Sequence, residues 1–220
     1  MSKKTLQLAV FLGNHGQKYE RNRHNAGWML ADALPFHHRL SWQKKYKGLY
    51  ACMDGLHFLK PQTYMNLSGE SALAAAAFFK IRPEQIVVVH DEIELPPGTI
   101  SLKFSGGLGG HNGLRSMKAC FGTADFWRLR IGVGRPDGRI PGAGGSMESS
   151  KEAGIAAWVL SDFSAAETGT LAPVLSTGAE LLLRAFADGP ETLLPEWAKK
   201  KCPEAVVEKA PAVEPEHPGP

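Results

Sequence analysis

Four side chains in this sequence could build a reaction centre if the fold brings them together, His24 and Asp91 to move a proton and Asn14 and Asn112 to hold a polar group. A histidine with a carboxylate behind it is the smallest general-base pair. The carboxylate fixes the tautomer and stabilises the imidazolium that forms. An amide side chain offers both N–H donors and a C=O acceptor, so it can hold a carbonyl oxygen or a peptide backbone without adding charge. No Gly-x-Ser-x-Gly elbow or reactive cysteine context is visible, which leaves water as the nucleophile. Water activated by a His–Asp pair suits hydrolysis of an ester. Two of the four also have a plainer reading: His24 as a cap or surface residue at a helix start, Asp91 as a cap or turn former.

The elements that must position these groups can be read from periodicity and punctuation. Residues 6–12 form a nearly continuous apolar run that ends at Gly13, one residue before Asn14, as a buried strand would. Residues 23–34 read as a helix. Residues 48–53 and 56–60 straddle Asp54-Gly55, a strong hairpin signal. Ser68 is placed to cap an Ala-rich helix ending near Lys80, with Pro83 just beyond. Residues 86–89 form a second buried strand that stops at His90-Asp91-Glu92. Strands at 100–104 and 129–133 enclose a Gly-rich loop and a helix over about 114–121. Helical patterns follow at 165–186 and 193–201. Strands alternating with helices predict one α/β domain over residues 1–202, with a mixed, mostly parallel central sheet flanked by helices. Ligands of open α/β sheets gather at the carboxyl ends of strands. If the strands ending near residues 13, 90 and 104 are parallel neighbours, Asn14, Asp91 and Asn112 share one rim. His24, ten residues after Asn14, could lean over it.

Composition narrows the classes. The chain has 220 residues with 43% apolar and 21% charged, enough to bury a core without disulfides or a metal. Three scattered cysteines with no Cys-x-x-Cys pair exclude a disulfide framework and make a zinc ribbon an unneeded reading. No run approaches the ~18 apolar residues of a membrane span, and the N-terminus has no signal-peptide pattern, so a cytoplasmic setting is expected. The glycine loop contains neither Gly-x-Gly-x-x-Gly in register nor a P-loop, yet its glycines permit close approach of a bulky anion. No histidine or cysteine set has metal spacing, so no metal and no cofactor are expected. Charge is split. Residues 1–139 carry 19 Lys and Arg against 10 Asp and Glu, a balance of +9; residues 140–220 carry 6 against 12, a balance of −6. The basic part suits a polyanion such as nucleic acid. Residues 203–220, with five prolines and almost no bulky apolar residues, read as a disordered acidic tail.

Several blocks of sequence then carry a resemblance. Leu12-Gly13-Asn14-x-Gly16, Arg23-His24-Asn25-Ala26-Gly27, Lys60-Pro61-Gln62-Thr63-Tyr64-Met65-Asn66-Leu67-Ser68-Gly69, His90-Asp91-Glu92, Gly109-Gly110-His111-Asn112-Gly113-Leu114 and Phe126-Trp127-Arg128-Leu129-Arg130 resemble bacterial peptidyl-tRNA hydrolases, in order, over about residues 6–186. The resemblance implies a monomeric, metal-free α/β enzyme that cleaves the ester joining a peptide to the 3′ end of tRNA. It implies His24 as the base and Asp91 as its orienting partner. Asn14, Asn66 and Asn112 would be substrate-positioning amides. Tyr19, Tyr64 and Met65 would line the cleft near the terminal adenosine and the first peptide units. Lys103 and Arg130 would hold tRNA phosphates, which accords with the +9 balance. Two features depart from the family pattern. His15 stands where the family has Pro, directly after Asn14. Residues 137–157, rich in Gly and Ser, are longer than the usual connection and are expected to form a surface loop that could serve as a lid. The rival readings are an RNA-binding module on the same scaffold without hydrolysis, and a hydrolase of small esters.

Overall fold

The computed structural model describes residues 5–136, 147–198 and 200–201. Its strands are β1 (Leu8–Phe11), β2 (Gln43–Lys45), β3 (Gly48–Met53), β4 (Leu56–Pro61), β5 (Ile86–Glu92), β6 (Thr99–Phe104), β7 (Trp127–Gly132) and the two-residue β8 (Lys200–Lys201). They form one sheet in the order β2-β3-β4-β1-β5-β7-β6-β8. The four central strands, β4, β1, β5 and β7, run parallel, and pairing becomes antiparallel at both flanks. Helices α1 (Ala26–Asp32), α5 (Ala165–Asp188) and α6 (Pro190–Trp197) cover one face, where Ala9, Phe11, Val87, Val89, Leu129 and Ile131 are buried. Helices α2 (Ser68–Phe79) and α3 (Asn112–Phe121) cover the other, over Leu8, Val10, Leu12, Ile86 and Val88. With both faces covered, the middle strands are apolar on both sides, which is why residues 8–12 and 86–89 show continuous apolar runs instead of alternation.

Local chemistry explains most element boundaries. Asp54 and Gly55 both take positive φ, 52° and 77°, the backbone a two-residue hairpin turn needs. Lys80 closes α2 in the left-handed conformation. Ser68 is not the cap of α2 but its first residue. Its buried Oγ donates to the carbonyl of Met65, 2.9 Å away, inside a one-turn 3-10 helix that leads into α2.

Two expectations need correction. Strand β6 runs antiparallel to β7, so its carboxyl end lies at the opposite edge of the sheet from Asp91. The loop 105–111 therefore travels back along the sheet, and Ser105, Gly106, Gly109 and Gly110 take positive φ along it. Buried Arg128 holds its path by donating to the carbonyls of Gly107 (2.5 Å) and Gly106 (2.7 Å). Asn112 thus reaches the rim through a returning loop and not through the end of a parallel strand. The second correction concerns residues 137–157. From Met147 the chain is helical, as α4 (Met147–Val159), because Glu148, Lys151, Glu152 and four alanines or apolar residues at 153–157 favour helix over the intervening Ser and Gly. The remainder of that stretch, including 142–145, and the 203–220 tail lie outside the described residues. No helix among the described residues is long and apolar enough to cross a membrane.

Candidate active site

The carboxyl ends of β4, β1, β5 and β7 form a single rim. Helix α1 begins just above it because Gly27 lets the backbone come close: a Cβ there would stand 2.4 Å from the Leu12 carbonyl oxygen and 2.6 Å from that of Val89. The preceding turn, Arg23–Asn25, is thereby held over the junction of β1 and β5, with all three residues buried.

Three titratable side chains meet there. His24 Nδ1 lies 2.9 and 3.0 Å from the two carboxylate oxygens of Asp91, and His111 Nε2 lies 3.0 Å from Oδ1 of the same carboxylate. The tautomer of His111 follows from its other nitrogen. As the N-cap of α3, Nδ1 accepts the N–H groups of Gly113 (3.1 Å) and Leu114 (3.4 Å), so the proton must sit on Nε2 and point at Asp91. His24 likewise donates its Nδ1–H, which leaves Nε2 as an acceptor. Burial opposes charge on His24, but the Asp91 carboxylate and its hydrogen bond outweigh this and raise the imidazole pKa above 6.5. Burial would also push Asp91 up. The two imidazoles overcome it and hold the carboxylate far below its usual range. Neighbouring His90 is fully buried, donates Nδ1–H to the Asp91 carbonyl at 2.7 Å, and is kept neutral by burial and by His111.

Ligand atoms of His24, Asp91 and His111 all lie within 4.8 Å, close enough to invite comparison with a metal site. The donor set argues otherwise. Both nitrogens facing the carboxylate carry its hydrogen bonds, and the remaining nitrogen of His111 is spent on the α3 cap. The cluster is two imidazoles hydrogen-bonded to one carboxylate.

Flanking residues lock this arrangement. Asn25 Oδ1 accepts the Asn14 N–H at 2.7 Å, and its Nδ2 donates to the Asn14 carbonyl at 3.0 Å. The loop after β1 is thus tied to the turn bearing His24, and the Asn14 side chain is left for other partners. Arg23 clamps the same turn from behind. It donates to the Ser161 hydroxyl (2.6 Å) and the Asp162 carbonyl (2.8 Å), makes a two-pronged pair with Glu167 (2.8 and 2.7 Å), and stacks 3.6 Å from the Trp158 ring centroid.

A sequence model of the peptidyl-tRNA hydrolase family matches residues 8–205. The chain belongs to the peptidyl-tRNA hydrolase family. Among curated relatives, the peptidyl-tRNA hydrolase of Treponema pallidum is 45% identical over 206 residues, covering 89% of this chain and 96% of that protein. That of Rhodospirillum centenum is 45% identical over 177 residues, covering 77% of this chain and 71% of that protein. A crystal structure of peptidyl-tRNA hydrolase in complex with n-propanol superposes with a TM-score of 0.77 at 29% identity, covering 92% of this chain and 99% of that one. Peptidyl-tRNA hydrolase from Acinetobacter baumannii superposes with a TM-score of 0.69 at 31% identity, covering 90% and 98%.

The other family-implied residues are spread around this centre. Met65 is buried against the start of α3, where a Cβ on Gly113 would stand 2.7 Å from its sulfur. Asn66 and Asn112 are exposed on the adjoining turn and at the first residue of α3. Tyr64 is 74% exposed, its ring 6.3 Å from that of His15. Tyr19 ends a short 3-10 turn, with Lys18 over its ring at 4.7 Å. Lys103 and Arg130 project from the α3 face of the sheet, since Lys103 pairs with Arg128 and Ser101 with Arg130. Arg130 is mostly buried, donating to Ser101 Oγ at 2.7 Å with Glu92 at 3.7 Å; Lys103 is half-buried. Sequence reasoning passed over His111, Asn25 and Arg23, although all three lie inside the quoted motifs. His111 directly precedes a helix start, which is the one local signal that could have marked it as a cap.

Proposed function

We propose that this chain hydrolyses the ester between a peptide and the 3′-terminal ribose of tRNA, with His24 as the general base. His24 Nε2 takes a proton from water while Nδ1–H remains bonded to Asp91, whose charge stabilises the imidazolium. His111 and the Asp91 backbone contact to His90 keep the carboxylate in place. The side-chain amides of Asn14 and Asn112 are assigned to the developing oxyanion: Asn25 ties the Asn14 main chain and not its side chain, and Asn112 accepts from Arg115 through Oδ1, which leaves its N–H groups to donate. His24 Nε2–H then returns the proton to the ribose oxygen as the acyl C–O bond breaks, which frees the tRNA hydroxyl and a peptide acid that ionises. The single observation that carries this reading is the His24–Asp91–His111 cluster, with His24 and Asp91 buried, whose one uncommitted nitrogen is Nε2 of His24.

Lys103 and Arg130 are assigned to tRNA phosphates, on the β6–β7 side of the sheet, with Arg130 near the rim and Lys103 toward the opposite end of β6. Contacts of this kind position an RNA without reading its sequence and weaken with salt. A site complete within one chain suits a monomer, and a substrate made by ribosomes suits the cytoplasm. The test is release of tRNA from N-acetyl-aminoacyl-tRNA by the purified protein, with chelator present, alongside His24→Ala. Turnover that the substitution lowers by about 10²–10⁴, with tRNA binding retained, is expected. Binding without turnover in the unsubstituted protein would leave an RNA-binding module instead.

A further inference from the structure

The hairpin joining β2 and β3 stands on the same rim as the candidate active site, because β3 is antiparallel to β4 and Gly48 pairs with Pro61. Its turn is built unusually: Tyr46 and Lys47 take φ of 53° and 55° with no glycine at either position. Specific contacts hold it there. Ser71 Oγ donates to the Tyr46 carbonyl at 2.6 Å, and the Gln62 N–H donates to that of Lys47 at 3.0 Å. Between this turn and residues 62–63 lies an open concavity of about 510 Å³, lined by Lys44, Lys45, Lys47, Gln62 and Thr63. The Thr63 hydroxyl is buried without a hydrogen-bond partner. Lys47 is paired with Glu70 at 2.6 Å, whereas Lys44 and Lys45 are exposed with no ion pair among the described residues. The next residue along the wall is Tyr64.

We infer that this lysine-lined concavity is a subsite for acidic side chains of the peptide being released. The inference rests on the hydrolase reading above. At the scissile ester the RNA ends and the peptide begins, so the two leave the site in different directions. With RNA phosphates on the β6–β7 side, the peptide extends over β1 and β4 toward β3. From Asp91 on β5 to β3 is three strand spacings, about 14 Å at ~4.8 Å each. An extended chain advances ~3.4 Å per residue, so the lysines meet roughly the fourth and fifth residues counted from the ester. Point charges on flexible stems favour carboxylates there without demanding one geometry.

The test compares three substrates on one tRNA: N-acetyl-aminoacyl-tRNA, a pentapeptidyl-tRNA with Glu at the fourth and fifth residues from the ester, and the same peptide with Gln at both. The unsubstituted protein should show a KM about three- to tenfold lower for the Glu peptide than for the Gln peptide, the size expected of two exposed ion pairs. Lys44→Gln/Lys45→Gln should abolish that preference and leave N-acetyl-aminoacyl-tRNA unaffected. Lys44→Glu/Lys45→Glu should reverse the preference, toward the Gln peptide. Equal kinetics for the Glu and Gln peptides in the unsubstituted protein would overturn the subsite, leaving these lysines to protect an edge strand from pairing. A KM rise shared by all three substrates, with a shallower salt dependence, would overturn it in favour of RNA phosphate. Failure to cleave any of the three would instead overturn the hydrolase reading itself.

Discussion

The two halves of the sheet rim are built to opposite rules. At the β1–β5 junction, buried His24 and Asp91 and half-buried His111 are tied to one another, and Asn25 and Arg23 brace them through further hydrogen bonds. At the β2–β4 end, Tyr64 is 74% exposed, and Lys44 and Lys45 reach into solvent. The first half can hold a base at fixed geometry, because moving any member strands a buried polar group. The second can follow substrates of varying sequence, because the side chains of Tyr64, Lys44 and Lys45 stand exposed on a fixed backbone. On the function proposed above, pre-organisation for chemistry and adaptability for binding are divided along one edge.

The largest effect should come from uncoupling the base from its carboxylate. Asp91→Asn is expected to lower kcat by about 10²–10⁴. It should also move the acid limb of the kcat/KM profile. As the proposed base, His24 must be neutral, so activity should fall as pH drops through its pKa, which Asp91 holds above 6.5. Without that charge burial acts alone, the pKa falls below 6.5, and the limb shifts to lower pH. A limb that stays in place would show that another group controls it. Next is Arg23→Ala, which removes the clamp between the His24 turn and residues 158–167. Loss of a buried charge pair and its stacking should cost about 3 kcal/mol in urea unfolding. A loss below ~1 kcal/mol would mean that the tight half of the rim does not depend on this brace. The smallest effect belongs to the open half. Tyr64→Ala should leave unfolding unchanged and raise KM by roughly fivefold, about 1 kcal/mol of lost stacking, with kcat retained. A fall in kcat instead would erase the division between the two halves.

Much of this was legible in the residues. The apolar runs at 8–11 and 86–89, the Asp54-Gly55 turn and the amphipathic helices are local signals, and local backbone preference made them readable. His24 and Asp91 could be paired from the strand-end rule, since Asp91 ends a strand and His24 opens the helix after the neighbouring one. Asn112 reached the expected rim for a different reason than its strand suggested. Strand direction is a property of pairing, and nothing in residues 100–104 says which way they will run beside β7.

What the sequence by itself determined is the set of chemical groups, the elements that carry them, and the family. Only the tertiary structure decided that Asp91 receives two imidazoles, that His111 must carry its proton on Nε2, and that Arg23 reaches Ser161 and Glu167 from 138 and 144 residues away. Those facts depend on distances between segments remote in the chain. Hydrogen bonds form across a few ångströms of space, and sequence separation carries no record of them.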